Sequence, residues 1–408
     1  MPPLAQGSQP GHSLPVSEAV PAPSIPAGEP IRACVGGTRL ELVAGGADRL
    51  TALLELIGSA RRSIRMLFYM YGDDSAGVAV RDALVAAAGR GVRVRVLLDG
   101  YGCADLPGEF FQPLRDAGGH VCLFHPKYGR RYLLRNHQKL VIADSCRALI
   151  GGANIVEEYL VDAGERHWRD LWLALDGPAV PPAAAYFDAL FRWTSRHKPK
   201  LRSLRRLVLR HSSHHGPLQW KFSSPMSLRS PWPAGLAREI AAGRRLDIVA
   251  AYFSPPRWML RRLGRLARRG TVRVITAARS DNGATIGAAR HTYTRLLRRG
   301  VAMYEYQPAK LHTKLVIVDD AVYIGSANFD FRSLYINMEI MLRIEDPAFT
   351  AAMRGYFERE ITASERITAE LHRKRANPWR RLKWFLAHWL VTSMDYSVTR
   401  RLNLPLEK

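Results

Sequence analysis

Short apolar runs alternate with amphipathic stretches along most of this chain. In ADRLTALLELIGSARRSIRMLFYMY, Leu50, Leu53, Leu54 and Ile57 fall at helical spacing, and residues 64–71 form an apolar run suited to a buried strand. An Ala-rich helix, GVAVRDALVAAAGRG, leads to the strand VRVRVLLD, and GEFFQPLRDAGGHVCLFHP supplies another helix and strand. Strands alternating with helices predict an α/β fold, a mostly parallel mixed sheet flanked by helices.

The same order then returns. GLAREIAAGRRLDIVAAYFSP parallels LLELIGSARRSIRMLFYMY, and LRRLGRLARRGTVRVITAA parallels the Ala-rich helix with its strand. The period is about half the chain, which means duplication into two similar lobes and not a solenoid. The pattern divides into a leader at 1–30, a first lobe at 31–200, a second at 201–365 and a basic amphipathic C-terminal segment at 366–408. The leader is rich in Pro, Gly, Ser and Ala, reads as disordered, and lacks the basic start and apolar centre of a signal peptide. The link between halves falls in a basic, weakly apolar stretch at 195–216, where His214 and His215 read as loop residues.

Each half carries the same polar constellation. NHQKLVIADSCRALIGGANI occupies 136–155 and LHTKLVIVDDAVYIGSANFD occupies 311–330. On a strand His137 and Lys139 share one face with Val141, while Leu140 and Ile142 take the other. A Gly-rich turn then delivers Asn154; the second copy repeats this with His312, Lys314 and Asn328, with Gly325 and Ser326 at the turn. A lone HxK is a strand end with solvated side chains, but two copies with matching followers are not chance. Brought together they make a cationic pocket with amide donors, suited to a tetrahedral phosphate. One histidine can attack in its neutral form while the other, protonated, serves the leaving alkoxide. This chemistry calls for no metal and no cofactor. The four cysteines, Cys34, Cys103, Cys122 and Cys146, lack CxxC spacing and read as reduced, largely buried thiols.

The doubled HxK(x)4D motif, each copy followed by a G-[GST]-x-N turn, resembles the phospholipase D superfamily over about residues 40–360. GGANI, GSANFDFRS and NMEIML look like bacterial cardiolipin synthases of the shorter type without transmembrane helices. The resemblance implies two lobes with the active site at their pseudo-two-fold interface. It implies His137 as nucleophile, His312 as general acid/base, and Lys139, Lys314, Asn154, Asn328 and Ser326 as phosphate binders. Asp144 and Asp319 match the motif aspartates, which tie down loops around the site. Asp170 in HWRDLWLAL and Glu339 in NMEIMLRI take the place of the acids that orient the histidines. Five residues separate Asp319 from Gly325 against six between Asp144 and Gly151, so the second turn is tighter, which bears on where Asn328 falls. The implied reaction makes cardiolipin from phosphatidylglycerol through a phosphohistidine, releasing glycerol. Phospholipase D hydrolysis to phosphatidic acid is the alternative; a nuclease of the same motif or a non-catalytic membrane-binding protein stands further off.

Charge and the C-terminus bear on the partner. The 408 residues carry a net charge of +24, which suits anionic phospholipids such as phosphatidylglycerol and cardiolipin, and an anionic membrane surface. Nucleic acid would use the same charge, but no nucleic-acid module is recognisable. Leu382, Phe385, Leu386, Trp389 and Leu390 form a helical stripe bordered by Arg380, Arg381 and Lys383, the pattern of a helix lying in a membrane interface. The competing reading docks that stripe on the protein core or on a second copy. The uncharged run at 384–394 is shorter than the ~18–20 residues that span a bilayer. These features predict peripheral attachment at the cytoplasmic face of the membrane; oligomeric state is not legible.

Overall fold

In the computed structural model, which describes residues 30–124, 134–162, 167–196, 200–224 and 230–394, each half of the chain builds one eight-stranded sheet. The leader, apart from Pro30, and the last residues of the C-terminal segment lie outside the described residues.

The first half opens with β1 (Arg32–Val35), β2 (Thr38–Val43), α1 (Gly46–Gly58), β3 (Ser63–Phe68) and α2 (Ser75–Gly89). It continues through β4 (Arg93–Asp99), α3 (Gln112–Asp116), β5 (His120–Phe124), β6 (Leu140–Ala143), β7 (Arg147–Gly151), the two-residue β8 (Trp168–Arg169), β9 (Trp172–Asp176) and α4 (Val180–Thr194). The second half runs α5 (Leu201–His211), β10 (Leu218–Phe222), α6 (Pro231–Ala242), β11 (Arg245–Ala250), β12 (Phe253–Ser254), α7 (Arg257–Ala267), β13 (Thr271–Ala277) and α8 (Gly283–Leu297). Next come β14 (Ala302–Tyr306), β15 (Lys310–Leu311), β16 (Lys314–Val318), β17 (Ala321–Gly325), β18 (Phe329–Asp330), α9 (Phe331–Tyr335) and β19 (Ile340–Glu345). The described chain closes with α10 (Pro347–Thr362), β20 (Ser364–Ile367), α11 (Ala369–Arg375), α12 (Pro378–Trp389) and a π-helical turn, Leu390–Met394.

The strand orders, β1-β2-β9-β7-β6-β3-β4-β5 and β10-β19-β17-β16-β11-β13-β14-β20, show the duplication directly. The sheets are mixed, but less parallel than the alternation of elements suggests. Within these two sheets the parallel neighbours are β3–β4–β5 and β11–β13–β14, each step joined by a helical crossover. The β6–β7 and β16–β17 hairpins and their neighbours β9 and β19 pair antiparallel.

Alternation along the HxK strand sorts its apolar residues as predicted. Leu140 and Ile142 enter a core that also holds Leu315 and Ile317 of the other half, so the two sheets are joined by one apolar interior. Val141 and Ala143 face a separate core under α1 and α2, and α6, α7 and α8 cover the corresponding face of the second sheet. Burial of the shared interior is what brings the two HxK strands together.

The stretch between the halves contains a helix: α5 buries Leu201, Leu204 and Val208 on one stripe, a 3.6-residue period obscured in the sequence by its arginines. One expectation needs correction. The cysteines are free, but Cys34 and Cys146 are exposed, so the expectation of burial holds fully for Cys103 alone. Among the described residues no helix is long and apolar enough to cross a membrane.

Candidate active site

The backbone just before each HxK strand pairs with the opposite lobe. His137 N donates to Met338 O at 2.9 Å, and Met338 N donates to Arg135 O at 2.9 Å. In the second copy β15 pairs parallel with β8, and His312 N donates to Arg169 O at 2.7 Å. The residues that follow Met338 and Arg169 are Glu339 and Asp170. Each histidine therefore receives its acid from the other lobe: His137 Nδ1 lies 3.1 Å from Glu339 Oε2, and His312 Nδ1 lies 2.5 Å from Asp170 Oδ2. The sequence names both acids but not this crossing.

A carboxylate cannot donate, so each Nδ1 carries the proton and each Nε2 keeps its lone pair for chemistry. The two acids are held differently. Glu339 also accepts from Ser326 Oγ at 2.5 Å, Ser333 Oγ at 2.8 Å and Asn337 Nδ2 at 3.3 Å. Asp170 Oδ1 accepts from Leu171 N at 2.7 Å, and Lys314 Nζ stands 4.0 Å from Oδ2. The hydroxyl of Ser326, a phosphate binder by the resemblance, holds Glu339 and accepts from Ile340 N at 3.1 Å.

Lys139 Nζ donates to His137 O at 2.7 Å, and Lys314 Nζ donates to His312 O. Burial pushes both ammonium groups down, Lys139 to about 7 and Lys314 to about 8, with the acids of the site pulling the other way. Burial also lowers the histidines, aided by the lysines, His137 to about 4 and His312 to about 3. Asp170 is driven up by burial, but Lys314 and His312 outweigh this and keep it below the ordinary carboxylate range. The resting site thus holds neutral imidazoles beside two buried lysines whose neighbouring acids are Asp170 and Glu339.

The first Gly-Asn turn also reaches across the interface. A Cβ placed on Gly152 would stand 2.7 Å from Lys314 Cδ and 2.6 Å from Asp170 Oδ1, so the first turn lies directly on the second copy's lysine. Asn154 is buried, and its Oδ1 accepts from Met70 N at 3.2 Å. Asn328 is buried too, and among the described residues its Oδ1 has no hydrogen-bond partner. The missing residue of the second copy is absorbed before this point: β6 and β7 are joined by three residues and β16 and β17 by two, after which Gly151 and Gly325 pair alike with β9 and β19. The tighter turn therefore does not shift Asn328 in register.

Asp144 and Asp319 lie at the far end of these strands from the histidines, so the loops they tie are not those of the site. Both adopt positive φ, 53° and 45°, a conformation Asp tolerates better than most residues. Asp144 accepts from the amides of Arg61, Arg62 and Ser63, and Asp319 from those of Arg244 and Arg245, fixing the entry to β3 and β11.

Aromatic walls went unread in the sequence. Tyr69 packs on His137 at 4.9 Å between centroids, while Tyr159 and Trp168 meet His312 edge-on at 4.8 and 5.4 Å. Tyr69 sits in an apolar strand run, Tyr159 in a three-residue 3-10 turn and Trp168 in a two-residue strand, so no periodicity marks them. Among the described residues no group of three His, Cys, Asp or Glu side chains could hold a metal ion.

Two similar lobes with an HxK pair at their interface define a phospholipase D-like protein. The chain belongs to the family described as "Cardiolipin synthase, PLD-like domain", which it matches over residues 53–191 and 236–361. It is 32% identical over 346 residues to cardiolipin synthase A of Pseudomonas entomophila, covering 83% of this chain and 71% of that protein. It is 31% identical over 357 residues to the major cardiolipin synthase ClsA of Bacillus subtilis, covering 84% and 73%. In fold it is similar to the crystal structure of phosphatidylserine synthase from Haemophilus influenzae, with a TM-score of 0.69 at 15% identity, covering 88% of this chain and 94% of that one. Polyphosphate kinase from Porphyromonas gingivalis has a TM-score of 0.54 at 15% identity, covering 96% and 57%.

Proposed function

We propose that this protein is a phosphatidyltransferase that makes cardiolipin from two molecules of phosphatidylglycerol. The observation that carries the reading is the pair of crossed histidine–acid contacts at 3.1 and 2.5 Å beside two buried lysines, together with kinship to cardiolipin synthases.

In the first step His137 Nε2 attacks the phosphorus of phosphatidylglycerol. An N–P bond forms, the P–O bond to glycerol breaks, and His312 gives its proton to the departing glycerol oxygen. In the second, His312 takes the proton from a headgroup hydroxyl of another phosphatidylglycerol. That oxygen attacks phosphorus, the N–P bond breaks, and cardiolipin leaves with His137 restored. Glu339 stabilises positive charge on His137 and Asp170 does so on His312. Lys139 and Lys314 offset the phosphate charge, and the amides of Asn154 and Asn328 serve its non-bridging oxygens. Burial first, and the lysine field second, keep His312 unprotonated in the empty site, and a bound phosphodiester anion offsets the lysine part.

The substrates on this reading are phospholipids, phosphatidylglycerol in particular, and the protein works as a peripheral enzyme at the cytoplasmic face of the membrane. The test is to incubate purified protein with phosphatidylglycerol vesicles and quantify lipids and released glycerol. Cardiolipin and glycerol in equal amounts is the expected result; phosphatidic acid in place of cardiolipin would overturn transfer in favour of hydrolysis.

A further inference from the structure

The described part of α12 is seated on α8 by one face and bare on the other. Its seat is Trp384, stacked on His372 of α11 at 5.5 Å and close to Gly287 of α8, with Ala387 beside the same glycine. His388 completes it, stacked on His291 of α8 at 4.7 Å. Most of the stripe singled out in the sequence turns away from this seat, although the Phe385 ring still reaches His291 of α8 at 5.8 Å between centroids. Trp379 is 80% exposed, and Leu382, Phe385, Leu386, Trp389 and Leu390 are each close to half exposed. These six dominate the large hydrophobic side chains left in solvent among the described residues. The core does not cover this stripe, and soluble monomers rarely leave so much contiguous apolar surface bare.

The charge on α7, α8 and α12 is of one sign, for these helices contain no acidic residue. Arg295 of α8 stands within the field of Arg257, Arg261, Arg298 and Arg299, and Arg257 is close enough to lower His388 of α12 as well. Arg257, Arg261, Arg298, Arg380, Arg381 and Lys383 are exposed. An apolar stripe continuous with an acid-free cationic surface complements an anionic bilayer, with acyl chains for one part and headgroups for the other.

Two of these helices, α7 and α8, begin at the rim of the HxK cleft. Tyr252 lies 6.4 Å from His312 and hydrogen-bonds Asp281, just before α8. β12 pairs with β18 directly after Asn328 and leads through Pro255 and Pro256 into α7.

We propose that the bare face of α12, together with the arginines of α7 and α8, is a docking face for anionic phospholipid bilayers that holds the rim of the HxK cleft at the lipid surface. This deepens the transferase reading by naming the surface through which lipid reaches the site. A lipid then enters the cleft without leaving the bilayer environment, and the cleft is kept from bulk water.

The test compares the full chain with a Leu382→Ser/Leu386→Ser/Trp389→Ser variant, substitutions that leave Trp384 in its seat. Sedimentation with vesicles of equal parts phosphatidylglycerol and phosphatidylcholine should weaken by roughly tenfold or more. Thermal unfolding and turnover of a water-soluble short-chain phosphatidylglycerol should stay unchanged. A separate Arg257→Gln/Arg261→Gln/Arg298→Gln variant should bind these vesicles more weakly and lose part of the salt dependence. Vesicle binding of either variant equal to that of the unaltered protein overturns the proposal. So does a triple-serine variant that only turns a dimer into a monomer in sedimentation, which would make the stripe a contact between copies. Binding is read without turnover, so the outcome is independent of whether cardiolipin is the product.

Discussion

His312 Nδ1 and Asp170 Oδ2 are held 2.5 Å apart although 142 positions and a lobe boundary separate them. With His137 and Glu339 paired the same way, neither lobe holds a complete histidine–acid unit. Asp170→Asn and Glu339→Gln should each keep the fold while removing the charge that supports imidazolium. The expected outcome is a fall in kcat of about 10²–10⁴-fold with little change in KM. Steady-state kinetics checks this; a loss confined to KM would assign the acids to substrate binding instead.

Gly152 and Ser326 occupy equivalent turns but are not interchangeable. Ser326 uses its side chain to hold Glu339, whereas a Cβ at Gly152 would press on Asp170 and Lys314. Gly152→Ala should therefore displace one of them and lower kcat/KM by about 10²-fold. Ser326→Ala removes one donor among several at Glu339 and should cost much less. Equal effects in the two variants would contradict the asymmetry.

The motif aspartates work on the fold. Asp144→Ala breaks acceptor contacts to three backbone amides and places a residue ill-suited to positive φ in the turn. A stability loss of about 1–3 kcal/mol is expected, with kcat per folded molecule unchanged. Denaturant unfolding alongside active-site titration separates the two effects.

The pH response follows from the site's direction of shift. The fold lowers His137 to about 4 and His312 to about 3. Below the ordinary histidine value the unfolded chain therefore binds protons that the native state refuses. Stability is complete above that value and falls as pH drops toward 4. The lysines act at the other end. Lys139 and Lys314 lose charge in the free site near 7 and 8, so KM for phosphatidylglycerol should rise with pH above this range, by up to about tenfold per unit for each lysine required. Unfolding midpoints and KM measured across pH check both limbs.

The duplication, the alternating elements and every member of the HxK constellation were legible because they are local patterns: periods of two and 3.6, and a fixed spacing repeated. Both acids were named too, but that each serves the histidine of the other lobe was not legible, since β15–β8 pairing and the Asn136–Met338 bridge depend on how the lobes meet. The antiparallel share of the sheets was hidden for the same reason, as β9 joins β2 and β7 over long separations. α5 was missed because arginine dilutes its apolar stripe. The stripe of α12 was legible, but which side of the helix meets the protein is decided by Trp384 and Gly287 together.

The central claim is covalent transfer through one histidine of a cleft that both lobes build. Its most direct test follows phosphatidylglycerol made chiral at phosphorus with isotopic oxygen and sulfur into the cardiolipin product. Two successive displacements, onto His137 and then onto the acceptor hydroxyl, predict net retention of configuration at that phosphorus. Net inversion would mean that the acceptor attacks the donor directly, and the phosphohistidine account would be wrong.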